Sequence, residues 1–137
     1  MGTTGTTGTT SLESEIKLGC WTLNKETVGQ YLTAVGDSQQ VYFDLHLVPP
    51  LALSAYALGA LLDKLALAPG AIHSLQEVAT VRSVAFGEQI TGTAQLERPR
   101  QRGGLEFTTV SYVLTDSAGA PVQTGKTTVL VPVSGVA

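Results

Sequence analysis

One stretch of the chain, Pro49–Leu67, is apolar on nearly every side. Within Leu51–Leu62 the only polar side-chain groups are the hydroxyls of Ser54 and Tyr56. A surface helix normally has a polar face, and Pro50 suits a first helical turn because its missing N–H would have no partner there. The pattern predicts a buried helix of about five turns that the rest of the chain must cover.

A strand and a short amphipathic helix are predicted before this long helix. Lys17–Leu23 is rich in β-formers, and Asn24 suits an N-cap. Thr27–Ala34 follows with apolar residues at helical spacing, namely Val28, Tyr31, Leu32 and Val35. Gly36 and the polar residues after it are turn-formers that end the helix. Val41–Val48 is predicted to be an irregular loop that leads to the two prolines.

Four β-like runs follow the long helix, separated by turn-formers short enough for hairpins. They are Ile72–Ser83, Gln89–Arg98, Leu105–Thr115 and Val122–Val131. Residues of the third run alternate, yet both of its faces carry apolar side chains, so we expect a partner to cover part of the second face. The order predicts an α+β hot-dog fold: a long central helix wrapped by a curved antiparallel β-sheet, with a meander after the helix.

The 137 residues suit one domain. Three copies of Gly-Thr-Thr open the chain, so we expect residues 1–15 to be a flexible low-complexity arm and residues 16–137 to be a single hot-dog domain. Only 14% of residues are charged, which suggests that part of the surface is buried against another subunit.

The charge pattern argues against several classes of protein. The net charge is −3 and Lys/Arg runs are lacking, so we expect no binding to nucleic acid. The uncharged segment Leu45–Leu62 contains His46 and two prolines and is shorter than a membrane span, so we expect no membrane insertion. No secretory signal is seen, and we expect a cytoplasmic protein. The single Cys20 lies in a predicted strand, where a buried free thiol is expected.

Five short motifs occur in a characteristic order. The first is AVGD at residues 34–37 together with VYFD at 41–44. The other four are VPPLAL at 48–53, PGAIHSLQEV at 69–78, GEQITGTAQL at 87–96 and GKTTVLVP at 125–132. Together they resemble the MaoC-like dehydratase/hydratase family of the hot-dog superfamily, especially its N-terminal-type dehydratase domains. The resemblance covers roughly Ile16 to Pro132.

The resemblance implies chemistry on acyl thioesters related to (R)-3-hydroxyacyl-CoA/ACP dehydratases, which are enoyl hydratases in reverse. In active members an Asp and a His add or remove water across C2 and C3. Asp37 matches the Asp, whereas Tyr42 occupies the His position. A phenol with a reference pKa of about 10 is a poor base at neutral pH. Tyr at this place is usual in the non-catalytic half of two-domain members, which implies a structural or acyl-binding role.

Other candidate site residues lie around the start of the long helix. His46 is a candidate replacement base because it lies just before that helix. The backbone amides of Leu51 and Ala52 are candidates to bind the thioester oxygen, since a helix N-terminus carries unsatisfied donors; Pro50 removes one of these donors. Ser54 either contributes a pocket hydroxyl or bonds back to a carbonyl of the preceding turn.

Three arginines and a second histidine complete the set of candidates. Arg98, Arg100 and Arg102 flank a predicted turn; they either meet the phosphates of coenzyme A or phosphopantetheine or keep a loop tip soluble. His73 is expected to be a packed or interfacial residue. Two separate histidines make no metal signature, and no cofactor is expected beyond coenzyme A or phosphopantetheine as part of the substrate.

Three functions therefore stay open. The first is a hydratase or dehydratase (a hydro-lyase), and the second is a non-catalytic subunit that binds an acyl chain or scaffolds a catalytic partner. The third is an acyl-CoA thioesterase, with Asp37, Asp44 or Asp63 activating water. A lone hot-dog subunit leaves an edge strand exposed, so we expect either a homodimer or a heterodimer with another hot-dog subunit.

Overall fold

The computed structural model describes residues 15–67 and 69–133, so most of the predicted N-terminal arm lies outside the described residues. Those residues form three helices and eight strands, which agrees with the predicted α+β class. The elements are β1 (Glu15–Thr22), α1 (Lys25–Val35), α2 (Val41–Leu45), β2 (Leu47–Val48), α3 (Pro50–Leu65), β3 (Ile72–Thr80), β4 (Val84–Ala85), β5 (Gln89–Leu96), β6 (Arg100–Arg102), β7 (Leu105–Thr115) and β8 (Pro121–Pro132).

Helix α1 begins as its sequence predicts. The Asn24 side chain accepts a hydrogen bond from the Thr27 N–H at 2.9 Å, which satisfies a donor of the first turn. Val28 and Leu32 are buried, so the predicted inward face is confirmed at these positions. The prediction that Val35 faces the core is wrong. Its side chain is 57% exposed because α1 ends there, beyond the part of the helix that packs on the core.

The segment between α1 and α3 is more regular than predicted. Val41–Leu45 forms the one-turn helix α2, and β2 pairs antiparallel with β4. The prediction of an irregular loop is wrong here because one helical turn is too short to show a periodic pattern. Gln40 stands at the N-cap without a side-chain hydrogen bond, so the start of α2 lacks the usual cap signal as well.

Helix α3 starts at Pro50, as predicted, and ends at Leu65, two residues before the predicted end. One side of it is buried, through Ala52, Leu53, Ser54, Ala57 and Leu61. The expectation of cover on all sides is wrong for the single subunit, because the sheet packs on one side only and leaves Leu51 61% exposed. Among the described residues, no helix has both the length and the apolarity that crossing a bilayer requires.

The main sheet is antiparallel and has the order β1-β5-β7-β8-β3, with β6 paired to β7. The meander is confirmed for β5, β7 and β8, but β3 does not belong to it. After β3 the chain leaves the main sheet as β4, which pairs with β2, and returns at the far side as β5. Strand β3 is therefore an edge, and its apolar residues Ile72, Leu75 and Val78 are exposed.

The inner face of the sheet packs on α3. Alternate residues of β7 are buried there, namely Thr108, Val110, Tyr112 and Leu114, which confirms the predicted alternation. The prediction that Cys20 on β1 is a buried thiol is wrong, because its side chain is exposed. A register shift between Lys17 and Gly19 interrupts β1, so Cys20 does not follow the buried Leu18 onto the inner face.

Candidate functional site

Asp37 lies in the turn that ends α1. Gly36 adopts the left-handed conformation (φ 75°), which glycine tolerates better than other residues. The Asp37 N–H donates to the Leu32 carbonyl at 2.9 Å, and the Asp37 Oδ1 accepts from the Gln39 N–H at 2.9 Å. One carboxylate oxygen of Asp37 thus serves its own turn, in agreement with the prediction that the polar residues after Gly36 are turn-formers.

Tyr42 lies on α2, half-buried, and packs against the core. Burial raises the pKa of the neighbouring Tyr31 hydroxyl, and the negative charges that Tyr42 and Asp37 carry when ionised raise it further. The structure therefore brings Asp37, Tyr42 and Tyr31 into one electrostatic neighbourhood. Sequence reasoning treated Tyr31 only as a packing residue, because its helical spacing gave no sign of the loop that folds beside it.

His46 makes its side-chain contact with Phe86, outside this neighbourhood. It is exposed and follows α2 in the left-handed conformation (φ 55°). Its ring packs edge-on against Phe86, with ring centroids 5.8 Å apart, and its carbonyl accepts from the Phe86 N–H at 2.9 Å. Within the described residues no hydrogen bond joins the His46 ring to Asp37 or Tyr42, so the replacement-base role stays a prediction.

The start of α3 offers few free backbone donors. Pro50 has no N–H, and the Ala52 N–H donates to the Pro49 carbonyl at 2.9 Å, so the Ala52 amide predicted to bind a thioester oxygen is already engaged. The Leu51 amide belongs to the first helical turn, where no preceding helical carbonyl can accept from it. Of the two predicted oxyanion donors, Leu51 is therefore the one that stays open.

Behind the start of α3 lies a buried cluster of three polar side chains, Ser54, Tyr112 and Gln123, which we call the interior triad. Gln123 Oε1 accepts from Ser54 Oγ at 2.9 Å and from the Tyr112 hydroxyl at 3.1 Å, while Gln123 Nε2 donates to the Pro50 carbonyl at 2.9 Å. The interpretation that Ser54 bonds back to its own helix is wrong, because its hydroxyl donates a hydrogen bond to Gln123 on β8. Burial raises the pKa of Tyr112, so its hydroxyl stays protonated and can donate.

A shallow groove runs along the outside of α1 and reaches Asp37. Two adjoining depressions of about 830 and 460 Å³ share Gly29, Thr33 and Phe43 as lining residues, and Asp37 lines the smaller one. Gly29 leaves room there, since the nearest atom to an added Cβ would be Phe43 Cζ at 3.8 Å. Asp37 therefore borders an outer groove, and Phe43 is a lining residue that sequence reasoning missed.

The remaining candidates are dispersed over the surface. His73 is exposed on β3, with Nε2 3.1 Å from Gln76 Oε1, so within one subunit it is not packed. Asp44 on α2 and Asp63 on α3 are both exposed. Among the described residues, no three His, Cys, Asp or Glu side chains gather as metal ligands. Arg98, Arg100 and Arg102 lie far along the sheet, around β6, and are exposed as well.

Comparison with known proteins places this geometry in a known fold. No family model and no curated protein matches the chain. Solved structures do match: the (R)-hydratase from A. caviae involved in PHA biosynthesis has a TM-score of 0.74 at 18% identity, covering 88% of this chain and 96% of the hydratase.

Two further structures give similar values. The C-terminally truncated 3R-hydroxyacyl-ACP dehydratase complex HadBC from Mycobacterium tuberculosis matches with a TM-score of 0.71 at 16% identity, covering 85% of this chain and 94% of that chain. A MaoC-like dehydratase from Rhodospirillum rubrum matches with a TM-score of 0.68 at 13% identity, covering 90% of this chain and 93% of the dehydratase. The chain therefore has the hot-dog fold that the order of its helix and strands predicted.

Proposed function

We propose that this chain is an acyl-thioester-binding subunit of the hydratase/dehydratase type, which works in a dimer with a catalytic hot-dog subunit. The observation that carries the proposal is Tyr42. The resemblance matches Tyr42 to the family's catalytic His, and the side chain is half-buried against the core, while Asp37 is bonded within its own turn.

The chemistry of the reaction explains why this arrangement favours binding over catalysis. Water addition across C2 and C3 needs a group that accepts a proton near neutral pH, and a phenol does so poorly. The enolate-like oxygen also needs positioned donors. Pro50 lacks an N–H and the Ala52 amide is engaged, so of the predicted oxyanion donors only the Leu51 amide stays open.

Exposed apolar side chains support the need for a partner. Val41 and Leu45 on α2 are 42% and 59% exposed, and Leu51 on α3 is 61% exposed. These residues surround the segment that carries Tyr42, and the apolar edge strand β3 adds a second uncovered region. HadBC is a complex of dehydratase subunits by its own description, which supports a hot-dog subunit as the partner; a second copy of this chain is the homodimeric alternative.

Catalysis by the chain itself is the second candidate, and the Tyr31–Tyr42–Asp37 neighbourhood favours it. Asp37 bonds through Oδ1 only within the described residues, so Oδ2 remains able to accept a proton. The proposal covers an acyl group carried either by coenzyme A or by a carrier protein, and it holds for any acyl chain length. Thioester hydrolysis differs from hydration in its products, because it releases the free thiol of coenzyme A.

Crotonyl-CoA tests the proposal. We expect the purified chain to bind crotonyl-CoA in a calorimetric titration without consuming the enoyl absorbance. Tyr42→His should then give measurable hydration, about a hundredfold above the parent, because a positioned base contributes at least that factor. Tyr42→Phe is the matched control and should stay inactive.

Three outcomes would contradict the proposal. Hydration by the parent chain that Asp37→Ala abolishes would show that the chain is itself a hydratase. Release of free coenzyme A thiol would show a thioesterase. Absence of binding to crotonyl-CoA, both alone and with a hot-dog partner, would remove the acyl-thioester role altogether.

A further inference from the structure

Half of the positive charges of this acidic chain lie together on the outer face of the sheet. The chain has eight Lys and Arg residues and a net charge of −3. Arg98 follows β5, Arg100 and Arg102 lie on β6, and Lys126 lies on β8. We call these four residues the outer basic cluster.

The strand registers bring the cluster together around one aromatic ring. Arg100 on β6 stands opposite Phe107 on β7, and Arg102 stands two residues further along the same face. On the other side of β7, Phe107 pairs with Leu130 and Ser111 with Lys126. Residues that face each other across antiparallel strands share a side of the sheet, so these side chains lie on the face opposite α3.

A concave surface lies within the cluster. A depression of about 290 Å³ is lined by Glu97, Arg98, Arg100, Lys126, Phe107, Thr109 and Thr128. The hydroxyls of Thr109 and Thr128 are 3.4 Å apart. A second depression of about 260 Å³ continues past Arg100 and Phe107 to Arg102. Guanidinium groups, hydroxyl groups and an aromatic ring therefore line one small site.

Within the described residues, the arginines of this cluster make no ion pair. Lys126 Nζ lies 3.8 Å from Glu97 Oε2, so part of its charge is balanced. In the described part of the chain no carboxylate lies within ion-pair distance of Arg98, Arg100 or Arg102, whereas Arg82 contacts two carboxylates at 2.8 Å. The single Glu97 carboxylate in the lining offsets part of the charge of Lys126, and the three guanidinium groups leave a net local positive potential that attracts anions.

We propose that the outer basic cluster binds a phosphate-bearing ligand of the nucleotide class. Arginine presents paired donors that match phosphate oxygens, and the Phe107 ring offers an apolar surface against which a base can stack. The concave shape and the aromatic residue favour a small ligand over the flatter surface of an acidic protein.

This proposal does not depend on acyl-thioester binding. If the proposed function holds, the nucleotide end of coenzyme A is the ligand of this class that the chain would meet. The site is on the face of the sheet opposite the interior triad, so an acyl group bound along α3 and a nucleotide bound at the outer basic cluster can be tested separately.

Adenosine 3′,5′-bisphosphate is the probe, because it carries the base and the phosphates without an acyl or pantetheine group. We expect the full chain to bind it in a calorimetric titration at low salt, with amide resonances of Phe107 and Thr128 shifting in an NMR titration. Arg100→Gln should weaken binding about tenfold or more, since hydrogen bonds to charged groups are the strong ones. Lys64→Gln on α3 is the charge-matched control and should leave binding unchanged.

Phe107→Leu separates the two parts of the site. It should weaken binding of adenosine 3′,5′-bisphosphate and leave binding of inorganic pyrophosphate unchanged, because only the base contacts the ring. The proposal is overturned if the parent chain binds neither probe, if Arg100→Gln and Lys64→Gln weaken binding equally, or if an acidic carrier protein binds at this cluster while both probes fail.

Discussion

Two hydrogen-bonded clusters support the candidate site from opposite sides, and they differ in charge and burial. The interior triad of Ser54, Tyr112 and Gln123 is neutral and buried, and it holds the Pro50 carbonyl at the start of α3. The second cluster, which we call the surface clamp, is charged: Arg82 binds Glu88 and Asp116, each at 2.8 Å.

Each cluster joins segments that are distant in the chain. The triad ties α3 to β7 and β8, whereas the clamp ties the turns around β4 to the β7–β8 hairpin. Arg82 also donates to the Ser83 carbonyl at 2.7 Å, and β4 pairs with β2 directly after His46. The clamp therefore supports the loop side of the site, and the triad supports the helix side.

Energetically the two clusters should behave differently. A buried polar group that loses its partner also loses the water that would replace it, so damage to the triad should strongly destabilise the fold. Exposed ion pairs contribute little because solvent and salt screen them. We therefore expect the geometry at the start of α3 to be rigid and the loop side to depend on pH.

Gly125→Ala should have the largest effect. Gly125 on β8 stands opposite Tyr112, and an added Cβ would overlap the Tyr112 ring. Because Tyr112 is almost fully buried, the ring must move and lose its bond to Gln123. We expect the free energy of unfolding to fall by about 4 kcal/mol, combining overpacking with a broken buried hydrogen bond. Urea denaturation measures it.

Gly59→Ala on α3 is the matched control for this substitution. No atom lies within 4 Å of an added Cβ at Gly59, and alanine favours a helix interior over glycine by about 0.5–1 kcal/mol. The control should therefore stabilise the chain slightly. Equal destabilisation by the two substitutions would contradict the role given to the Tyr112 contact.

Gln123→Leu should have the next largest effect. It removes the acceptor for Ser54 and Tyr112 and the donor to the Pro50 carbonyl, and we expect a loss of about 3 kcal/mol in unfolding free energy. Gln95→Leu is the control, since Gln95 is exposed on β5 and surface changes stay within about 0.5 kcal/mol. If both variants unfold at the same urea concentration, the triad does not stabilise the start of α3.

Much of the fold was predictable because its signals are local. Pro50 marks the start of α3, the Asn24 cap marks the start of α1, and alternation in β7 shows which side chains face inward. The position of β3 at the sheet edge was not predictable in this way, because β4 leaves the main sheet for β2 by a pairing with no local signal. The bulge that exposes Cys20 was hidden for the same reason.

The candidate site was less predictable than the fold. A resemblance can match Asp37 and Tyr42 to family positions, but it cannot show that Asp37 Oδ1 accepts from Gln39 or that both residues raise the pKa of Tyr31. Ser54 illustrates the limit: its partner Gln123 is 69 residues away, and nothing near Gln123 in the sequence indicates a buried amide. Long-range polar contacts require the folded structure.

Arg82→Gln should have the smallest effect, and it should depend on pH. The hydrogen bond from Arg82 is the main cause that lowers the pKa of Glu88 below its ordinary 4.5 and that of Asp116 below its ordinary 3.8. A carboxylate whose pKa is lowered by folding stabilises the fold above its unfolded-state pKa. That stabilisation is lost as the pH falls through the folded-state pKa.

The parent chain should therefore exceed Arg82→Gln in stability at neutral pH, and the difference should shrink as the pH falls below about 4.5. Urea unfolding at a series of pH values measures this difference, and added salt should reduce it because Arg82 is exposed and Glu88 is partly exposed. Arg102→Gln removes the same charge from a residue without a carboxylate partner in the described chain, so its difference from the parent should not vary with pH in this range. A pH-independent deficit in Arg82→Gln would mean that Arg82 acts through its bond to the Ser83 carbonyl and not through the two carboxylates.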